Sequence, residues 1–183
     1  MTFMTLTSLI DPARVIPCLR TRDLRHTLGE MTLIAAEAAL LDHNAAWAAI
    51  TARGASSSFA FGRGVMIPHA MIAGLGKPLA VFARLDPGLD LDGTDGVPID
   101  LAILILSGEG DEPTLLRALA CAARRLRDRE IAARLRSAGS VEALHVVLTS
   151  DAWRACSDPV RAETPQGKDL TNGAKWPTIT ASC

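Results

Sequence analysis

The segment from Gly62 to Ala70 holds the residues of this 183-residue chain that are best suited to chemistry. It reads Gly-Arg-Gly-Val-Met-Ile-Pro-His-Ala, so a single histidine follows a short apolar run and a proline. Pro68 has a fixed φ and favours an extended conformation at the residue before it, which restrains the backbone that leads to His69. The charge of an imidazole near neutral pH is readily set by its surroundings. The pattern therefore makes His69 a candidate reactive residue.

The same segment resembles the phosphorylation-site segment of the IIA proteins of the bacterial phosphotransferase system, of the fructose/mannitol type and in particular of its nitrogen-regulatory branch. Three further stretches match that family in order: Leu9-Ile10 with Val15-Ile16, the run from Lys77 to Leu85, and the Asp-Gly-Val-Pro-Ile-Asp-Leu turn from Asp95 to Leu101. The resemblance extends from about Leu6 to Leu148. It is carried by motifs along most of the chain and not by the histidine alone.

The resemblance implies a function for His69. In the family, the aligned histidine accepts a phosphoryl group from a small histidine phosphocarrier protein (HPr- or NPr-like), as a transient phosphohistidine rather than through independent turnover. It implies no cofactor and no metal. The downstream target would be a regulated protein or a sugar-transporter subunit, and the free-standing chain favours the regulatory role. The oligomeric state stays open, with a weak homodimer among the alternatives.

An arriving phosphoryl group carries about two negative charges near neutral pH, so the site needs hydrogen-bond donors. Backbone N–H groups of a glycine-rich turn form anion-binding concavities, and guanidinium groups bind phosphate oxygens in pairs. Serine hydroxyls between residues 56 and 58 add further donors. Together with the resemblance, these arguments give the predicted phosphate-binding residues: Arg53, Ser58, Gly62, Arg63 and Gly64.

Three positions depart from the family pattern and support a second hypothesis. Gly54 stands where the family commonly has an acidic residue, Phe59 takes the place of a threonine, and Leu115 aligns with a second histidine. Leucine can neither donate to a phosphate oxygen nor accept a hydrogen bond from His69. The alternative is a degenerate IIA-fold protein that binds a partner protein independently of phosphorylation, through the surface around Phe59 and Phe61.

The composition argues against several other functions. The chain has 19 basic and 20 acidic residues, which gives no global field for nucleic acid or for an anionic membrane. Seven arginines lie between Arg117 and Arg136, but solvated helix faces of this kind are far commoner than nucleic-acid grooves. No apolar run reaches membrane-spanning length. We therefore expect no nucleic-acid partner and no membrane span.

Neither metal binding nor hydrolysis is supported by residue spacing. No histidine pair has metal-ligand spacing, and no Ser-His-Asp set can be assembled. The cysteines are widely scattered, which favours a reduced, cytoplasmic protein over a disulfide framework. They are Cys18, Cys121, Cys156 and Cys183.

Hydrophobic periodicity and capping residues predict the elements. Helices are expected to begin after Asp23, after Asp42 or Asn44, with Pro113 in a first turn, after Asp128 and after Ser140. Strands are expected between Phe59 and Met71, over Leu79 to Leu85 and over Ile99 to Leu106. Leu6 to Ile16 is predicted to be an extended lead-in, and Gly54 to Ser58 and Asp86 to Pro98 to be loops.

The interleaved strands and helices predict an α/β (α+β) fold. We expect a mixed sheet of about five strands with helices on both faces, which is also the fold that the resemblance implies. Residues 1–150 would form one IIA-type domain. Residues 151–183 lack periodicity and are predicted to be a mostly disordered tail, whose deletion should leave a folded domain.

Overall fold

The central strand of the fold is the near-continuous apolar run that follows Pro98. A computed structural model describes residues 4–91 and 95–151 of the chain. The strands are β1 Val15–Arg20, β2 Ala60–Gly62, β3 Val65–Met66, β4 His69–Ile72, β5 Leu79–Leu89 and β6 Ile99–Gly108. The helices are α1 Leu24–Ala39, α2 His43–Ser56, α3 Glu112–Arg127, α4 Arg129–Ser137 and α5 Val141–Thr149.

The sheet is mixed, in the order β1-β5-β6-β3-β2, and β4 also pairs with β6. β5 runs antiparallel to β6, whereas β3 and β4 run parallel to it. Val65 lies opposite Leu101 and His69 opposite Ile105, so β3 and β4 follow the same neighbour with the same offset. They are two parts of one interrupted strand. The six strands therefore occupy five positions, which confirms the predicted mixed, about five-stranded sheet.

Both faces of β6 are covered, as its uninterrupted apolar sequence requires. Leu101, Ile103 and Ile105 pack in a cluster with residues of α3, α4 and α5. Ala102, Leu104 and Leu106 pack in a second cluster with residues of α1 and α2. Successive side chains of a strand point to opposite faces, so this one strand contributes to both cores. The prediction of helices on both faces is confirmed.

The helix starts are set by capping side chains. Asp23, Asp42, Asp128 and Ser140 each accept a hydrogen bond from a backbone N–H in the first turn of their helix. Such caps satisfy donors that have no partner within the helix. Of the two starts proposed for α2, Asp42 is the cap that the structure uses. Pro113 lies in the first turn of α3, as predicted.

Three boundaries were predicted wrongly. Leu6 to Ile16 is not extended throughout: 3₁₀ turns at Leu6–Ser8 and Pro12–Arg14 precede β1. Gly54 does not end α2, which continues to Ser56 because serine hydroxyls satisfy the carbonyl of Arg53 at its last turn. β5 continues to Leu89, into the segment that was expected to be a loop.

Some expectations concern residues outside the described part of the chain. Residues 152–183, which cover nearly all of the predicted tail, lie there, and so do Cys156 and Cys183. Cys18 and Cys121 are free thiols. Among the helices of residues 4–91 and 95–151, none has the length and apolar character needed to cross a membrane.

Replacing Leu104 with alanine should destabilise the fold by about 2–5 kcal/mol, because it leaves a cavity in the tightly packed core. Leu104 is 0% exposed, whereas Leu116, on α3, is 64% exposed. Urea denaturation of Leu104→Ala and the matched control Leu116→Ala should therefore show a large loss of stability only for the former. Equal losses would contradict the assignment of Leu104 to the core.

Candidate functional site

His69 is the first residue of β4, and a backbone carbonyl holds its ring. Its Nδ1 lies 2.9 Å from the carbonyl oxygen of Ile67. The N–H of Ile67 donates to the carbonyl of Phe59 at 2.9 Å. In a strand the N–H and C=O of one residue point to the same side. The pairing with β2 ends at the N–H of Ile67, so the carbonyl of Ile67 is available to the imidazole. The half-buried ring is thus held by its own strand.

Arg53, in the last turns of α2, contacts the other ring nitrogen. Its Nε lies 3.3 Å from Nε2 of His69. A guanidinium only donates hydrogen bonds, so Nε2 must be the accepting nitrogen and carry a lone pair. The proton of the neutral ring then sits on Nδ1 and is donated to the carbonyl of Ile67. The two contacts together select one tautomer, in which Nε2 carries the lone pair.

Phe59 packs against the same ring. The centroids of the Phe59 and His69 rings are 5.8 Å apart and their planes are inclined by 70°. This is the edge-on arrangement that aromatic pairs prefer. Phe59 is only 6% exposed, so the prediction that it forms part of a protein-docking surface is wrong. Phe61 is 41% exposed, with the guanidinium of Arg127 5.8 Å from the centre of its ring.

The serines after Arg53 have different roles. Ser56 donates to the carbonyl of Arg53 at 2.9 Å and Ser57 does so at 3.5 Å, so both hydroxyls close the end of α2. Ser58 accepts a hydrogen bond from the N–H of Ala60 at 3.1 Å. Its own hydroxyl hydrogen remains able to donate. Of the three, Ser58 is therefore the one whose hydroxyl fits a role in binding an anion.

The Gly62–Gly64 turn connects β2 to β3, and all three of its residues have positive φ: 85° at Gly62, 57° at Arg63 and 77° at Gly64. The N–H of Arg63 donates to a carboxylate oxygen of Asp95 at 2.7 Å. That hydrogen bond is the main cause of a pKa for Asp95 below its ordinary value. The donor that was expected to bind phosphate is thus already engaged.

An ion pair clamps the other side of this turn. Arg136 donates to both carboxylate oxygens of Asp100, at 2.6 and 2.8 Å, and to the carbonyl of Arg63 at 2.8 Å. The carboxylate of Asp100 raises the pKa of Arg136. We call this set of contacts, together with Asp95, the turn clamp. It ties α4, β6 and the segment before β6 to the Gly62–Gly64 turn.

The structure does not bring the Gly62–Gly64 turn to His69. Val65 and His69 lie four residues apart along one strand direction, so their Cα atoms are separated by about 13 Å. The turn lies beyond Val65, at the far end from the histidine. Of the predicted phosphate-binding residues, Arg53 contacts His69 and Ser58 precedes Phe59, whereas Gly62, Arg63 and Gly64 form a separate structural unit. We leave these three out of the proposed phosphate site.

Sequence reasoning missed the turn clamp. Asp95 and Asp100 were noted only as part of a family-like motif, and Arg136 only as one of several arginines. Their partners in the turn are between 32 and 73 residues away, so local sequence patterns carried no signal of the contacts. The sequence singles out Phe59 for a docking surface that it would share with Phe61, and carries no signal of its contact with His69. Within residues 4–91 and 95–151, no group of three or more histidine, cysteine, aspartate or glutamate side chains could hold a metal ion.

Comparison with known proteins shows the family of this chain. Residues 8–151 match the profile of the family described as "Phosphoenolpyruvate-dependent sugar phosphotransferase system, EIIA 2". The chain belongs to this family. The nitrogen regulatory protein of Bradyrhizobium diazoefficiens is 37% identical over 145 residues, which cover 79% of this chain and 95% of the relative. Family membership and this relative support a phosphocarrier role in the phosphotransferase system.

Solved structures show the same fold. Nitrogen regulatory protein IIA-Ntr from Neisseria meningitidis superposes with a TM-score of 0.72 at 24% identity, over 79% of this chain and 98% of its own. The IIA mannitol protein of Escherichia coli, solved in complex with phosphorylated IIB mannitol, gives a TM-score of 0.64 at 13% identity, over 76% and 96%. At these identities the likeness establishes the IIA architecture.

The family-pattern position at Leu115 is part of the core of this IIA protein. Leu115 lies in the buried cluster beneath α3, together with Ile67. Met71 packs against the same cluster. Side chains two residues apart share a face of a strand, so His69 points to the face on which Ile67 and Met71 lie. Leu115 therefore supplies packing on that face and no hydrogen bond.

Replacing Gly64 with alanine should destabilise this IIA protein by about 3 kcal/mol. The alanine would be strained at the positive φ of this position, and its Cβ would overlap with the turn clamp. A Cβ at Gly64 would lie 2.8 Å from Arg136 and 2.9 Å from Asp100. Gly74 has a similar φ of 81° but nothing within 4 Å of such a Cβ, so Gly74→Ala should lose only about 1–2 kcal/mol. Thermal or urea unfolding of both variants measures the difference. Equal losses would show that the clamp leaves room for a side chain.

Proposed function

We propose that this IIA protein accepts a phosphoryl group on Nε2 of His69 from a histidine phosphocarrier protein and acts as a phosphorylation-dependent regulator. The observation that carries the proposal is the pair of hydrogen bonds on the two ring nitrogens. In one, Nδ1 donates its proton to the carbonyl of Ile67; in the other, Nε2 accepts a hydrogen bond from Arg53, so Nε2 carries the lone pair. Family membership supplies the class of reaction.

The transfer needs no general base, because Nε2 already carries a lone pair. This lone pair forms the new N–P bond while the N–P bond to the histidine of the donor breaks and its electron pair returns to the donor imidazole. The proton on Nδ1 stays in place throughout. As positive charge develops on the accepting ring, the carbonyl of Ile67 stabilises it through the hydrogen bond to Nδ1.

Arg53 would act on the phosphoryl group after its arrival. Its Nε–H bonds to Nε2 in the free protein, and formation of the N–P bond releases this donor. The guanidinium can then donate to the phosphoryl oxygens, which is a charge-assisted interaction. Ser58 is the proposed second donor, through its hydroxyl hydrogen.

The identity of the partners belongs to the proposal. The relative from Bradyrhizobium is named a nitrogen regulatory protein, which favours a regulated protein over a transporter subunit as the target. The IIA mannitol protein was solved with phosphorylated IIB, and we include a phosphorylated protein among the proposed partners of this chain. A cytoplasmic setting, expected from the scattered cysteines, fits these partners.

Phosphorylation-independent binding is the second candidate function, and one observation favours it. Leu115 is committed to core packing, so position 115 gives the phosphoryl group no imidazole partner. Such a protein would keep its partner affinity when His69 is replaced. Under this hypothesis the partner would bind the surface formed by the exposed ring of Phe61 and the guanidinium of Arg127.

Replacing His69 with alanine should abolish phosphorylation, because the alanine variant has no nucleophilic nitrogen. Wild type and His69→Ala would be incubated with phosphoenolpyruvate, enzyme I and a matched histidine phosphocarrier protein, and intact mass would be read at mildly alkaline pH. Wild type should gain one acid-labile phosphate. The control His26→Gln should behave as wild type, since His26 lies on α1 near Glu30. A wild type that gains no phosphate from a carrier shown to be phosphorylated would favour the binding hypothesis.

Replacing Arg53 with alanine should slow the transfer by about 10–100-fold, the kinetic equivalent of one lost charge-assisted hydrogen bond. Arg53→Lys should fall between wild type and Arg53→Ala, since it keeps the charge but loses the planar fork. Stopped time courses of phosphate gain give the rates, with Arg22→Ala as a control for loss of a positive charge elsewhere. Unchanged rates in Arg53→Ala would exclude this arginine from the phosphate site.

A further inference from the structure

Gly54 and Phe59 fit each other with no space to spare. Gly54 lies within α2 at a backbone φ that any residue adopts, since it is not among the glycines of positive φ. A Cβ built on Gly54 would nevertheless lie 2.9 Å from Cε2 and 3.4 Å from Cζ of the Phe59 ring. The first distance is too short for any real contact. A side chain at position 54 therefore requires the ring of Phe59 to move.

The same ring is the side-chain neighbour of His69. It meets the imidazole edge-on at 5.8 Å, and Phe59 is buried, so it has little freedom to move away. The backbone carbonyl of Phe59 also holds the N–H of Ile67, whose carbonyl holds Nδ1 of His69. Phe59 thus acts on the histidine through its ring and through its backbone. A side chain at position 54 would push the ring of Phe59 and, through it, the imidazole.

We propose that Gly54 and Phe59 form a size-matched pair that sets the orientation of the His69 ring, and with it the rate at which Nε2 accepts a phosphoryl group. Phe59 is a positioning residue in this scheme and does not touch the phosphoryl group itself. The inference rests on the proposed function of His69. It goes beyond that function because it assigns the tuning of the nucleophile to two apolar positions.

The proposal makes an unusual prediction about helix propensity. Alanine normally stabilises a helix relative to glycine, so Gly54→Ala should be stabilising if only α2 mattered. The overlap with Phe59 reverses this expectation. Gly29 in α1 is the matched control, because a Cβ there would meet only Cζ3 of Trp47 at an ordinary 3.9 Å. Gly29→Ala should therefore stabilise the protein and leave His69 unchanged.

The experiment compares wild type with Gly54→Ala, Phe59→Leu, the double variant and Gly29→Ala. The phosphoryl donor is phosphoramidate, a small molecule that requires no protein partner. The lone pair of Nε2 attacks phosphorus, the N–P bond forms, and the P–N bond of the donor breaks to release ammonia, which leaves with the electron pair and a proton. Intact mass gives the rate. Long-range ¹H–¹⁵N NMR of the imidazole reports the tautomer and its uniformity without any phosphorylation.

We expect Gly54→Ala to react about tenfold more slowly than wild type, since small misplacements of a reacting group are costly. Its His69 signals should show a mixture of tautomers in place of the Nδ1–H form. Phe59→Leu should lose a similar factor by removing the ring edge. In the double variant the smaller leucine makes room for the alanine, so its rate should match that of Phe59→Leu and not the product of the two losses.

Two results would overturn the proposal. In the first, Gly54→Ala has the same rate and NMR signals as Gly29→Ala; in the second, the rate losses of the two single variants multiply in the double variant. If Gly54→Ala does not fold, a folded double variant still supports the size match, and an unfolded one refutes it. If wild type takes no phosphate from phosphoramidate or from the carrier, the proposed function fails separately. The tautomer signals then decide the pair, and unchanged signals in Gly54→Ala would refute it.

Discussion

The hydrogen bond between Nδ1 of His69 and the carbonyl of Ile67 is the interaction on which the site depends. Without it, the imidazole could present either nitrogen to a partner. The bond exists because the strand is interrupted: Ile67 has its N–H paired with Phe59, and the carbonyl of Pro68 pairs with Ile105 on the opposite side. Because of the interruption, a strand carbonyl accepts a hydrogen bond from the ring. Arg53 from α2 then donates a hydrogen bond to the other ring nitrogen, Nε2.

Much of the fold could be predicted because its signals are local. A capping aspartate such as Asp23 lies within three residues of the N–H group from which it accepts a hydrogen bond. The continuous apolar run of β6 likewise predicts a strand that is covered on both faces. The lead-in before β1 was predicted less well, because Leu6 and Leu9 are buried through contacts with distant helices. Tertiary contacts of this kind produce no hydrophobic periodicity in the sequence.

The site was predicted in part, for the same reason. His69 and Arg53 were found, the first from its surroundings and the second from the family resemblance. The Gly62–Gly64 turn is near His69 in the sequence but not in space, because an extended strand separates its two ends. The departures at Gly54 and Phe59 looked like two separate losses in the sequence. In the structure each position accounts for the other, because the ring of Phe59 fills the space that a side chain at 54 would need.

The place of β4 at the border of the sheet has a consequence for how the histidine is approached. Within the described part of the chain β4 pairs only with β6, and its four residues follow a proline, so it offers a short and poorly matched template for the backbone of another chain. Another protein that approached His69 would therefore contact the imidazole as a side chain, on a border that resists strand addition. The border of the sheet that carries His69 is thus also protected against self-association through its backbone.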